Sequence, residues 1–236
     1  MPKPSGSNSG NRLLFSSVVA IAVGYAALRY NVFAGVPWRD FPLFVSNKGL
    51  SLASVILIGA AYLVNRRRDT EPRGSESRRA LARAAGLSGF ALAVIHVLVS
   101  FVVLGASAYP RLFDGGGLSA AGWTCLLFGT LATPLFAIPA IYSFPRLVPR
   151  LGPHHWKRAQ QLGYAGLALT AVHVLSIGAH NWAAVSTWPG GMPPISLLSF
   201  VACAVPLGVK AMSMAAVYRA RLNVALGAAP EMGVRE

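Results

Sequence analysis

Acidic side chains are scarce in this chain: seven Asp and Glu stand among 236 residues, against 21 Lys and Arg. None falls inside the long apolar stretches that dominate the sequence. Intramembrane proton and cation pathways usually run on carboxylates, so their absence argues against an ion-coupled transporter. Cysteine is nearly missing too. Cys125 and Cys203 lie in different apolar stretches, with no C-x-x-C spacing and no secreted pattern, and read as small buried hydrophobes. Charge of both signs amounts to 12% of residues, about half of what a soluble domain carries. Short alternating runs of the membrane-barrel kind are also lacking, which leaves helix as the default for every apolar segment.

What remains is hydrophobic: 54% of residues, with a mean hydropathy of +0.53. Six stretches, at 13–33, 46–65, 84–106, 120–144, 159–181 and 195–217, approach or exceed the ~20 residues that span a hydrocarbon core. The expected fold is all-α, a polytopic bundle of six transmembrane helices over residues 13–217. A polar, Ser- and Gly-rich N-terminus (1–12) is expected to be disordered and cytoplasmic, and 218–236 to form a cytoplasmic tail. The first stretch is too long for a signal-peptide core and is expected to stay as a helix. Pro110 with Gly115–Gly117, then Pro145, Pro149 and Pro153, then Pro189–Pro194 punctuate the loops. Pro134 and Pro139 are expected to kink the fourth helix, either to admit a flat cofactor or simply to suit helix packing.

The net charge of +14 invites a nucleic-acid reading, but the cations collect at segment ends and not along one face. Arg66, Arg67, Arg68, Arg73, Arg78, Arg79 and Arg83 fall between the second and third stretches. Arg146, Arg150, Lys157 and Arg158 fall between the fourth and fifth, and Arg219, Arg221 and Arg235 follow the sixth. The opposite ends hold only Arg29, Arg39, Lys48 and Arg111. The positive-inside rule then puts both termini and the arginine-rich loops in the cytoplasm, some of the arginines against anionic lipid headgroups. Lys210 lies near enough to that side to snorkel.

Two histidines, His96 and His173, each sit inside an apolar stretch. A polar group unsatisfied in hydrocarbon costs several kcal/mol, so each imidazole needs a partner. A Ser, Thr or backbone carbonyl can supply one. The two can also be used together, as axial ligands of a haem iron. At 1.5 Å per residue His96 lies about 20 Å along its helix from Arg83, and His173 about 20 Å from Gln160. The pair therefore reaches a common depth in the outer half of the membrane, as one bis-histidine haem requires. Gly86, Gly89 and Ala93 on one helix, and Gly166, Ala168 and Ala171 on the other, leave room for close helix approach or for a macrocycle.

The run Arg78-Arg79, Gly86, Phe90, His96 and the run Leu151-Gly152, Trp156, Tyr164, His173 resemble the third helix and the loop-to-fifth-helix pattern of the ferric reductase-like transmembrane family. The likeness covers roughly residues 46–180 and is greatest to the haem-binding membrane subunit of bacterial methionine sulfoxide reductase systems. It implies a b-type cytochrome in the bacterial inner membrane. Two-haem relatives such as NADPH oxidases carry a further histidine about four turns earlier on each helix. Ala82 and Gln160 stand there in this chain, so the resemblance implies one haem b on the outer side, as in single-haem metalloreductases of the six-transmembrane epithelial antigen type. No stretch reads as a flavin or nicotinamide domain. Electrons are expected from a partner protein, a bound flavin mononucleotide (FMN) or a quinol, and to leave for an outer-side acceptor protein, ferric iron or oxygen.

Secondary candidates surround the pair. His180, seven residues after His173, can touch the haem edge, bind an acceptor metal or cap the helix end in water. Arg79, Arg83, Lys157 and Arg158 can hold a flavin phosphate, since guanidinium suits bidentate anion binding. Lys48, Tyr109 and Arg111 are candidates to meet haem propionates. Trp182 and Trp188 read as interfacial anchors, and His154 and His155 as exposed loop residues or a donor-docking point. Two functions follow: a transmembrane electron carrier, or a structural or anchoring subunit of a larger respiratory or photosynthetic complex.

Overall fold

The computed structural model describes residues 7–66, 75–144 and 148–226. Six long helices make up the bundle: α1 (Ser7–Ala27), α2 (Ser46–Arg66), α3 (Ser75–Val103), α4 (Ala120–Ile141), α5 (Val148–Gly178) and α6 (Ile195–Ala225). All six are long and apolar enough to cross a membrane. Large apolar side chains such as Ile21, Leu98, Val102, Trp123 and Leu127 stand exposed on their outer faces. In water that surface would cost about 25 cal/mol per Å2, and against lipid tails it costs nothing. The chain is an integral membrane protein.

The limits of the spans depart from hydropathy at several ends. Residues 7–11, expected to be disordered, are already helical in α1. A π-helical turn, Leu28–Phe33, prolongs that helix, and a second one, Phe41–Val45, leads into α2. Both prolines of α4 lie inside one continuous helix. α5 is broken at Gly152, whose φ of 65° only glycine adopts readily. Of the expected cytoplasmic cations, Arg67, Arg68, Arg73, Arg146 and Arg235 lie outside the described residues.

α2 packs most extensively on α3, and α4 on α5, while α6 bridges α5 and α2 and α1 lies against α2. Glycines set the close approaches. A Cβ on Gly89 would come within 2.9 Å of Ser54 O, one on Gly59 within 2.8 Å of Ala202 O, and one on Gly49 within 2.6 Å of the Val23 backbone. α3 and α4 meet only sparsely. The central core is built from Val55, Ile58, Ala132, Phe136, Leu167, Ala171 and Cys203.

The loops between α1 and α2, α3 and α4, and α5 and α6 close over one end of the bundle. Tyr25 Oη donates to Pro193 O at 2.7 Å, and the Phe44 and Tyr109 rings lie 5.5 Å apart. A two-residue hairpin sits here, β1 (Phe113–Asp114) against β2 (Gly117–Leu118). Ser119 caps α4, accepting from Gly122 N at 3.1 Å and donating to Arg111 O at 2.9 Å.

Candidate functional site

His96 projects from α3 and His173 from α5 into one cavity of ≈ 360 Å3, within the roughly 300–1,000 Å3 typical of ligand pockets. Its wall is mainly apolar, with Val55, Val97, Leu126 and Val174 among the lining side chains.

Each histidine is held through Nδ1. His173 Nδ1 lies 2.8 Å from the backbone oxygen of Cys125. A carbonyl can only accept, so Nδ1 carries the proton and the lone pair is left on Nε2. His96 Nδ1 lies 3.0 Å from Asn47 Oδ1. Asn47 is itself oriented, because its Nδ2 donates to Ser100 Oγ at 2.9 Å, leaving Oδ1 to accept from the ring. Ser100 Oγ stands 3.4 Å from the same Nδ1. Among the described residues neither Nε2 has a hydrogen-bond partner. The partner that hydrocarbon demands is thus supplied by an amide and a carbonyl, and in both rings one nitrogen remains free to bind a metal.

Asn47 is 1% exposed, fixed on the buried face of α2 opposite Ser100. On α4, Gly129 makes space for the second imidazole. A Cβ there would sit 2.7 Å from His173 Nδ1 and 2.9 Å from its Cε1. The Cys125 thiol is buried 3.5 Å from the same nitrogen, and Cys203 is buried in the core.

Several secondary candidates are placed elsewhere. α5 ends at Gly178, and His180 sits in a 3-10 turn, exposed and outside the cavity lining. Lys48 and Tyr109 do line the cavity, whereas Arg111 is exposed. Burial pushes the Tyr109 phenol up to about 12, so it stays neutral. His154 and His155 are exposed, with rings 6.0 Å apart. Trp182 and Trp188 donate to Ser196 Oγ and Asn181 O and are partly buried. Lys210 Nζ lies 5.5 Å from the Tyr164 ring.

A second cavity of ≈ 420 Å3 lies toward the opposite end, lined by Tyr62, Arg79, Ala82, Arg83, Trp156 and Gln160 among others. Ala82 and Gln160 thus face one space. Gln160 Nε2 is bound to Pro139 O and Ser143 Oγ, each at 3.2 Å. Arg158 and Lys157 are exposed and take no part in the lining. Phe136 is common to the walls of both cavities. Of the small residues flanking the histidines, Gly86 lines the second cavity and Ala93 the first. Gly89, Gly166 and Ala171 serve packing, and Ala168 is exposed.

Among the described residues no three His, Cys, Asp or Glu side chains converge as a cage for a metal ion. Two imidazoles suit a metal whose remaining ligands arrive with it. No family model matches the chain, and no curated protein matches it.

Proposed function

We propose that the protein is a transmembrane b-type cytochrome of the ferric reductase-like kind, carrying electrons through one haem held by His96 and His173. The observation that carries this reading is the matched state of the two imidazoles. Both stand in one cavity, both spend Nδ1 on a carbonyl-type oxygen, and both keep Nε2 free. A histidine that binds haem iron through Nε2 needs that tautomer.

Haem bound there would supply a one-electron ferric–ferrous couple. The chain's own residues hold and tune it. Asn47 and the Cys125 carbonyl fix the ring orientations and raise the basicity of each Nε2. The apolar wall excludes water and so favours the less charged state of the site. Held by both His96 and His173, the haem would supply electron transfer and not a binding place for an acceptor.

The cavity around Ala82 and Gln160 is the place for an electron donor, either a quinol or a flavin such as FMN. Arg79 and Arg83 give it a cationic lining, and Trp156 and Tyr62 give it aromatic walls. Phe136 lies between this cavity and the histidines. Under the positive-inside rule the donor side is cytoplasmic, with both termini, and the histidine cavity lies toward the outer face of a bacterial inner membrane. Donor and acceptor proteins would dock at opposite faces.

The test is electron transfer across a bilayer. Liposomes loaded with ferricyanide and carrying the protein should reduce the trapped oxidant when dithionite is added outside. Liposomes with His96→Ala protein should behave as empty ones. Equal rates for the two proteins would overturn the proposal.

A further inference from the structure

Arg29 is 7% exposed, and its Nε and Nη1 are buried without a hydrogen-bond partner. It continues the inward stripe of Ala22 and Ala26, both buried, and lies in the π-helical turn Leu28–Phe33. Such turns are frequent at functional sites. The side chain lines the histidine cavity at its loop-covered end. Lys48 lines the same end, its Nζ 4.3 Å from the centre of the Phe44 ring, 4.8 Å from Tyr109 and 5.2 Å from Tyr30.

Two cations thus share one end of a largely apolar cavity. The acidic residues among those described are Asp40, Glu76 and Asp114, and none lines it. Asp40 is 3.9 Å from Arg39, Asp114 is exposed, and Glu76 begins α3 at the far end of that helix. Aromatic faces offset part of the burial of Lys48. The Tyr30 ring also lies 5.4 Å from the Arg29 guanidinium, yet Nε and Nη1 are left without a hydrogen bond, and buried donors left unsatisfied are costly. The chemistry that balances this end is a pair of anions on whatever fills the cavity.

We propose that Arg29 and Lys48 receive the two propionate carboxylates of the porphyrin held by His96 and His173; this rests on the haem reading above. A guanidinium with two free donors suits a carboxylate, and the ammonium supplies the second charge. Arg111, exposed on the surface, is not needed for it.

The experiment titrates full-length apoprotein in nanodiscs with haemin and with haemin dimethyl ester, in which both carboxylates are neutralised. Wild type should prefer the diacid by about tenfold or more, as charge-assisted contacts imply. The double variant Arg29→Leu/Lys48→Met should bind both porphyrins alike, at the affinity wild type shows for the ester. Ester binding by the variant also reports that it is folded. Indifference of wild type to esterification, or a preference that survives in the variant, would overturn the proposal. So would indifference combined with a phospholipid that copurifies with wild type and is lost from the variant, since the cations would then serve a lipid phosphate. Failure of wild type to bind either porphyrin would instead remove the haem reading itself.

Discussion

Asn47 Oδ1 lies 3.0 Å from Nδ1 of His96, joining α2 to α3 at the cavity wall. It is the side-chain counterpart of the backbone oxygen of Cys125 that holds His173. The difference matters for mutation. Asn47→Leu removes the acceptor and frees the His96 ring to turn, so haem affinity should fall about 10- to 100-fold, as loss of a ligand's outer partner commonly does. Haemin titration of the apoprotein measures it.

Cys125→Ala should leave haem binding nearly unchanged, because the bond to His173 comes from the main chain. Loss of the thiol also removes a contact of 3.5 Å, but sulfur is a weak hydrogen-bonding partner and does not hold the ring by itself. An absorption spectrum identical to wild type is the expected result.

Gly129→Ala places a methyl 2.7 Å from His173 Nδ1, and the ring must shift off its present axis. The low-spin spectrum should be lost or shifted to high spin. Gly86→Ala is the matched control, since its Cβ would meet only Ala61 Cβ at 3.6 Å, an ordinary contact. That variant should keep its haem.

Phe136 is 6% exposed and packs between the two cavities, against Gly166. Phe136→Ala should destabilise the bundle by about 3–5 kcal/mol through the space it opens. Thermal unfolding in detergent reads this as a lower Tm, while haem content per folded chain stays the same because neither histidine contact is touched.

The six helices were legible in the sequence because hydrocarbon imposes a length and a composition that short loops cannot imitate. The histidine pair was legible for the same reason, since each interrupts an otherwise apolar run. The ends were less so. Residues 7–11 are polar yet helical, and hydropathy does not register a helix that continues beyond the apolar core. Asn47, Gly129 and Arg29 were missed as site residues because their roles depend on which helix faces which. Arg29 carried a signal even so, continuing the three- to four-residue spacing of Ala22 and Ala26 toward the interior. His180 was read two turns along the face of His173, but α5 ends at Gly178; its exposed place in the next turn matches the alternative of a helix end in water. Of the three candidates for haem propionates, Lys48 and Tyr109 line the cavity and Arg111 does not.

The most direct test of the haem assignment is a reduced-minus-oxidised spectrum with a pyridine haemochrome assay on purified wild type, His96→Ala, His173→Ala and a His154→Ala/His155→Ala/His180→Ala triple variant. Wild type and the triple variant should show a low-spin b-type spectrum at about one haem per chain, and each single variant should show none. Haem-free wild type from cells with ample haem supply would contradict the account, as would a spectrum that survives loss of either His96 or His173.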